Sequence, residues 1–422
     1  MKLDHRRPFK ESSNKPIVFC GIDRLYTLAG AAKKSGRKIT HKDLSLIQKA
    51  AFVCLDGKIL WIGHEAKLPK GFVNLKSHSF KGATLLPGFV ESHTHLIYGG
   101  TRACEFDWRN QGMSYQEIAR RGGGILSSLK QTRAMKANAL LVSAQKKVDE
   151  FIKQGVTTLE VKSGYALNFE GEKRLLKIAG KLKKIQIIRT YLGAHALPRE
   201  FQTTKDYIEH LTQIDLPKIK KQKLASRVDI FVEKGFFSKA DGKKYLKAAQ
   251  RLGFDLTIHA DQLSLSGGSE LAFEMAASSA DHLIQIGENE ISKFAIADVT
   301  ATLLPGADLY MNCSYPPARK LIDAGARVAL ATDFNPGTCP TQDLSLIGVL
   351  ARIQMKMTLA EVIGAYTIGG AYALRLQDQI GSLEVGKAAN FCVLDSDIDD
   401  LFYQIGHSPI TQTWFEAKRI FS

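Results

Sequence analysis

A chain of 422 residues, 45% hydrophobic and 24% charged, is long enough for one large barrel domain with a smaller partner and has the balance of an ordinary globular protein. No run of about 18 apolar residues occurs, which argues against a membrane-spanning helix. The formal net charge of +16 sits in scattered clusters (Lys33–Lys34, Lys181–Lys184, Lys218–Lys223) without interleaved aromatics, the pattern of a solvated basic surface rather than a nucleic-acid interface.

The N-terminal stretch "MKLDHRRPFKESSNKP" is charged and lacks the apolar core of a secretory signal. The basic segment "AGAAKKSGRKITHKD" follows, with no role assigned to it from sequence. Next, "FVCLDGKILWIG" alternates around Asp56-Gly57, a hairpin signal. From here to residue 334 short β-like runs alternate with helical patterns: "ATLLPGFVESH", "GVTTLEVKSG", "IQIIRTYLGAH", "RVDIFVEKG", "FDLTIHAD", "SADHLIQI", "TATLLPGA" and "RVALATDF". Between them, Asn138 to Gln154 reads as an amphipathic helix stopped by Gly155. Ser238 to Leu252 opens on a plausible N-cap and closes at Gly253, and "PPARKLIDAG" opens on proline and closes on glycine.

Eight such units with apolar strands predict a parallel (β/α)8 TIM-type barrel, with an open doubly wound sheet as the alternative. After Thr358, "TLAEVIGAYTIGGAYAL" predicts a helix with a Thr358/Glu361 capping box. "IGSLEVGKAANFCVLDSD" then reads as β-like and turn-rich. The two β-rich ends predict one small β-sandwich-like domain assembled from both termini, residues 1–85 and 376–422, beside a barrel of residues 86–375. The six cysteines (Cys20, Cys54, Cys104, Cys313, Cys339, Cys392) are scattered, with no CxxC pair. That disfavours a disulfide framework or a thiolate zinc site and fits a reducing cytoplasm.

In such barrels chemistry sits at the C-terminal strand ends. His93, His95, Tyr165, His195, Glu233, His259, His282 and Asp333 all fall at or just past one. Side chains two apart on a strand share a face, so His93 and His95 can grip one cation while Thr94 faces away. His259 in "LTIHADQ" and Asp333 in "VALATDFNPGT" complete three imidazoles and one carboxylate, a set that suits one Zn²⁺ or Fe²⁺ with room for water. Asp333 is otherwise costly to bury; as a turn or N-cap residue it needs no metal. His282 can hold or polarise a carbonyl or shuttle a proton; the plainer alternative is a satisfied core histidine. Arg102 offers a planar fork to a carboxylate, or is an ordinary surface arginine. Asn335, Gly337 and Thr338 place donors beside Asp333, or form a plain turn. Glu233 stands where some barrels carry a metal-bridging lysine. Its identity argues for a single metal, and Lys162 lies near a different strand end.

The segments "HTHLIYGGTR", "GGGI", "VKSGYAL", "YLGAHALP", "HADQLS", "GGSELA", "SADHL", "PPARKLIDAG" and "ALATDFNPGT" together resemble the imidazolonepropionases of the amidohydrolase superfamily. The resemblance runs from about Leu85 to the C-terminus. It implies His93, His95, His259 and Asp333 as ligands of one zinc or iron ion, and His282 as the catalytic histidine. It implies Arg102, Tyr165, His195 and Gln262 as contacts to imidazolone propanoate, a small anionic substrate, with Asn335, Gly337 and Thr338 touching substrate or opened product. The implied reaction is lactam hydrolysis, with Asp333 accepting the proton of the attacking water. The substrate being a metabolite, neither nucleic acid nor membrane is an expected partner; homodimers are common among relatives. Where some relatives carry Glu, Gln262 stands here and cannot act as a base. A deaminase acting on a purine-like ring is the nearest alternative.

Overall fold

The computed structural model describes residues 15–113 and 115–422; the charged N-terminal stretch, as far as Asn14, lies outside them. Eight strands pair in strict chain order: Phe89–Glu91, Val156–Lys162, Gln186–Ala194, Arg227–Val232, Asp255–Ala260, Ser279–His282, Thr300–Leu303 and Arg327–Leu330. Every pairing between neighbours is parallel. A doubly wound sheet would break sequential order at a switch point; here the order never breaks, and the ends meet. Thr94 bridges Phe334 in parallel, and the His95 N–H donates to the Phe334 carbonyl at 2.9 Å. The sheet therefore curls into the expected (β/α)8 barrel.

The strands are apolar because both faces are covered, one by the barrel interior and one by helices. All seven residues of Val156–Lys162 are buried. The helix Ala137–Lys153 turns Leu140, Ala144, Val148, Phe151 and Ile152 inward, and Gly155 ends the turn after it with φ +86°. Ser238 caps Lys239–Arg251 reciprocally with Asp241, each accepting the other's N–H at 3.1 Å. The Thr358/Glu361 box is also present, but the helix it opens passes through a π-turn at Ala365–Gly369 before Gly370–Ala373.

A second sheet draws strands from both chain ends, including Ile17–Tyr26, Leu46–Leu55, Lys58–His64, Thr84–Pro87, Phe391–Leu394 and Ile410–Phe415. Asp56 (φ +50°) and Gly57 (φ +76°) make its two-residue hairpin turn. Phe19, Phe52, Phe80, Phe391 and Trp414 fill its core, with Phe19 stacked on Phe52 at 4.8 Å. Two expectations change here. The run at 83–93 is two strands: Thr84–Pro87 pairs with Phe391–Leu394 in this sheet, and only Phe89–Glu91 enters the barrel. Of the β-like C-terminal stretch only Phe391–Leu394 is strand, because its glycines and polar residues form turns.

The basic segment has a structural place. Arg37 donates to the carbonyls of Phe294, Ala295, Ala297 and Gly325 at 2.6 to 3.0 Å. These residues precede the last two barrel strands, so the segment is fastened to the barrel end opposite the chemistry. No helix among the described residues is long and apolar enough to cross a membrane.

Candidate metal centre

His93 and His95 lie just beyond Glu91, the last residue of the first barrel strand, rather than on the strand itself. The alternation nevertheless continues. Thr94 Oγ1 donates to the Glu160 carbonyl at 2.6 Å, which turns Thr94 into the barrel wall and leaves both rings on the other side. One nitrogen each of His93, His95 and His259 lie within 4.8 Å of one another, all buried. Asp333 Oδ1 is 3.5 Å from His93 Nε2 and from His95 Nε2. The four ligand candidates read from sequence are thus brought together at the C-terminal mouth of the barrel.

The donor set fits a cation. His93 Nδ1 is hydrogen-bonded to Asp281 Oδ2 at 2.6 Å and His259 Nδ1 stands at ion-pair distance, 3.0 Å, from Asp229 Oδ2, so each Nδ1 faces a carboxylate and each Nε2 is turned to the centre. There, His259 Nε2 stands 3.3 Å from His95 Nε2, and His93 Nε2 is buried without a hydrogen-bond partner. Lone pairs converging in a dry site call for a positive charge, and the imidazole–carboxylate pairs are the usual outer support of such a metal. Burial lowers the pKa of His93 and His95 well below the ordinary histidine value, which favours the neutral form that ligates metal. For His259 burial acts in the same direction, but the adjacent Asp229 outweighs it and raises the pKa. Burial pushes Asp333 up to about 7; a bound cation would restore its carboxylate.

Asp333 and His282 both hold left-handed backbone, φ +54° and +81°, uncommon for residues with side chains and a form of strain found at functional sites. His282 closes the sixth strand with its ring centroid 5.3 Å from that of His259, and burial keeps it neutral.

Above the cage lies a cavity of about 550 Å³, walled in part by His95, His259, His282, Asp333, Arg102, Tyr165, His195, Gln262, Asn335 and Thr338. Gly337 backs Arg102: a Cβ there would stand 2.0 Å from Arg102 Nη1. Arg102 Nε and Nη2 each lie 2.8 Å from Glu105 Oε2. The other Glu105 oxygen accepts the Gly124 N–H at 3.0 Å, so this carboxylate ties the arginine to the Gly122–Gly124 turn. Asn335 builds its own loop: its Oδ1 accepts the Gly337 and Thr338 N–H groups at 2.9 and 2.8 Å, and its Nδ2 donates to the Asp333 carbonyl at 2.7 Å. Glu233 does not reach the cage. It accepts the Leu263 N–H at 2.9 Å, the Ser264 N–H at 3.3 Å and the Ser264 hydroxyl, which holds the loop carrying Gln262.

Sequence reasoning passed over the layer beneath the ligands. Lys162, Glu160, Asp229 and Asp281 are all buried, and Lys162 Nζ reaches Asp229 at 2.8 Å, Glu160 at 3.0 Å and Asp281 at 3.9 Å. Near a different strand end, as expected, it nonetheless lies under the cage. The available signal was charge inside otherwise apolar strands, "TTLEVK", "RVDIFV" and "SADH".

The chain resembles known proteins along nearly its whole length. Residues 84–420 match the Amidohydrolase family. The imidazolonepropionase of Bdellovibrio bacteriovorus is 55% identical over 408 residues, 96% of each chain. That of Caldanaerobacter subterraneus is 40% identical over 407 residues, 95% of this chain and 97% of its own. Among solved structures, a zinc-bound adenosine deaminase from Xanthomonas campestris aligns with a TM-score of 0.72 at 17% identity, over 96% of this chain and 92% of its own; at that identity the likeness speaks for the fold alone.

Proposed function

This chain belongs to the imidazolonepropionases of the amidohydrolase family, and on that premise we infer that it hydrolyses 4-imidazolone-5-propanoate, opening the lactam ring to N-formimidoyl-L-glutamate in histidine degradation. The observation that carries the reading is the convergence of His93, His95, His259 and Asp333 beneath a cavity walled by Arg102, Tyr165 and His195.

His93, His95, His259 and Asp333 would hold one divalent ion, zinc or iron. Bound there, such an ion supplies Lewis acidity and makes water nucleophilic near neutral pH. Asp333, ionised beside such a cation, takes the proton of the attacking water and returns it to the departing ring nitrogen. His282, neutral and at the same mouth, orients the lactam carbonyl by hydrogen bonding. Arg102 anchors the propanoate and thereby aims the ring at the cage. Tyr165, His195 and Gln262 hold the ring and its substituent. The loop of Asn335, Gly337 and Thr338 receives the opened chain, with Gly337 and Thr338 held in place by the Asn335 amide. Gln262 serves as a hydrogen-bonding amide, so no carboxylate chemistry is assigned to it.

The test is metal analysis of the purified chain together with turnover of imidazolone propanoate, with and without chelator. Loss of ring absorbance without ammonia release, abolished by chelator and restored by Zn²⁺ or Fe²⁺, is expected. Ammonia release would identify a deaminase instead, and turnover indifferent to chelator would remove the metal from the account.

A further inference from the structure

Two of the three histidines in the cage are not free to choose their orientation. His93 Nδ1 meets Asp281 Oδ2 at 2.6 Å, and His259 Nδ1 meets Asp229 Oδ2 at 3.0 Å. The same two oxygens face one ammonium. Lys162 Nζ is 2.8 Å from Asp229 Oδ2 and 3.9 Å from Asp281 Oδ2. Each carboxylate oxygen thus stands between a histidine and the lysine. The lysine is itself held by Glu160 Oε1 at 3.0 Å, and Glu160 Oε2 accepts the N–H of Thr94, the residue between His93 and His95. Lys162 and its three carboxylate neighbours are at most 2% exposed, so water offers no substitute partner.

We propose that Lys162 is a positioning residue for the metal cage: its ammonium ties Asp229 and Asp281 together and, through them, sets the ring orientation and tautomer of His259 and His93. A carboxylate that accepts Nδ1–H leaves Nε2 bare for the metal, and such outer partners govern metal affinity. Asp281 has a second support, the Thr257 hydroxyl at 3.2 Å. Asp229 is the nearer to the lysine, so His259 depends on Lys162 more than His93 does. Without the ammonium, two buried anions would face each other across the barrel floor and turn toward other donors. The inference rests on the metal-site reading given above and adds to it a residue that touches neither metal nor substrate.

The experiment measures Zn²⁺ affinity by competition with a chromogenic chelator for the unsubstituted full-length chain, Lys162→Met, and the double variant Lys162→Met/Glu160→Gln, each checked for native circular dichroism. The double variant removes one buried cation and one buried anion, so local net charge is kept while the tie between the aspartates is lost; it also relieves the charge imbalance that threatens folding of the single variant. A loss of about 10- to 100-fold in affinity is expected in both. Unchanged affinity in folded Lys162→Met, or affinity restored in the double variant, overturns the proposal, the second because net charge alone would then explain the effect. A third arm needs no substitution: ¹⁵N-histidine spectra of the Zn²⁺-loaded chain must show His93 and His259 protonated at Nδ1, and Nε2-protonated rings would overturn it. Failure of the unsubstituted chain to bind Zn²⁺ removes the metal reading and this inference together; binding in the unsubstituted chain with no change in the variants removes this inference alone.

Discussion

His195 Nδ1 lies 3.0 Å from the carbonyl oxygen of Gly164, and that contact determines what the ring can offer a substrate. A carbonyl accepts, so Nδ1 carries the hydrogen and Nε2 is a bare acceptor. Burial pushes the pKa down to about 3, so the ring is neutral at every working pH. It stacks on His95 with centroids 5.1 Å apart and planes 18° apart, which fixes its orientation. In the proposed function His195 would therefore accept from an N–H of the substrate ring, leaving the propanoate to Arg102. His195→Ala should lower kcat/KM by about 5- to 30-fold, the value of one or two kcal/mol of hydrogen bonding, with little pH dependence of the loss between pH 6 and 8. A KM limb near an ordinary histidine pKa of about 6.5 that disappears in the variant would contradict this assignment.

Arg102 and Asp333 should fail differently. If Arg102 anchors the substrate as proposed, Arg102→Met removes ground-state binding, so KM is expected to rise about tenfold or more while kcat holds within a few-fold. Asp333→Ala would remove both a candidate ligand and the proposed proton acceptor, and kcat is expected to fall by at least about a thousandfold. Because Arg102→Met strands the buried Glu105 carboxylate, Arg102→Met/Glu105→Gln serves as the control for loop disorder. Steady-state kinetics at saturating metal separates the cases, and equal, mild effects from both substitutions would contradict both roles.

What the sequence made legible was periodic or local. Strand runs and their order predicted the barrel because apolar strands buried on both faces leave a plain signal, and the candidate ligands stood out because each is a histidine or aspartate closing an apolar run. Local reciprocity also made the caps at Ser238 and Thr358 readable. The break at Gly88 was hidden, since Thr84–Pro87 and Phe89–Glu91 are one apolar run whose two halves pair with partners hundreds of residues apart or in different sheets. The Lys162 layer was hidden for a related reason. A lysine, two aspartates and a glutamate on four different strand positions become one network only when the barrel closes, and no spacing in the chain encodes that closure. Glu105, beside Arg102 at i+3, carried a readable helical spacing, but an arginine at a loop end gave no reason to expect it buried.

Gly337→Ala tests the loop after the last strand. A methyl there meets the Arg102 guanidinium at 2.0 to 2.1 Å, far inside contact distance, while Arg109 Nη2 holds the Gly337 carbonyl at 3.0 Å and resists movement of the loop. The arginine must shift, and with it the anchoring of the propanoate proposed for it. KM is expected to rise about tenfold, with a stability loss of about 1–3 kcal/mol from overpacking and metal content unchanged. Unaltered KM, measured alongside the melting temperature, would show that Arg102 has room to move and that this glycine does not constrain it.

Lys147, which does not line the cavity, supplies a pH dependence of stability. Its Nζ sits 3.3 Å from the centroid of Tyr98 and donates to the Leu96 carbonyl at 3.0 Å, and burial lowers its pKa to about 7. In the unfolded chain the amine titrates near its ordinary value of about 10.4. Between these two values the unfolded state binds the extra proton, so stability rises with pH across that window. Below pH 7 both states are protonated and the folded protein bears the full cost of the buried charge, reduced by the ring face and the carbonyl. Lys147→Met removes the charge and keeps most of the volume. Its stability relative to the unsubstituted chain should therefore be most favourable at pH 6 and should decline by pH 9, by an amount on the order of one to a few kcal/mol. Urea melts of both proteins at the two pH values decide it: a difference that is flat, or that grows with pH, would mean the ammonium stays charged in the folded protein and that the aromatic face and carbonyl suffice to hold it.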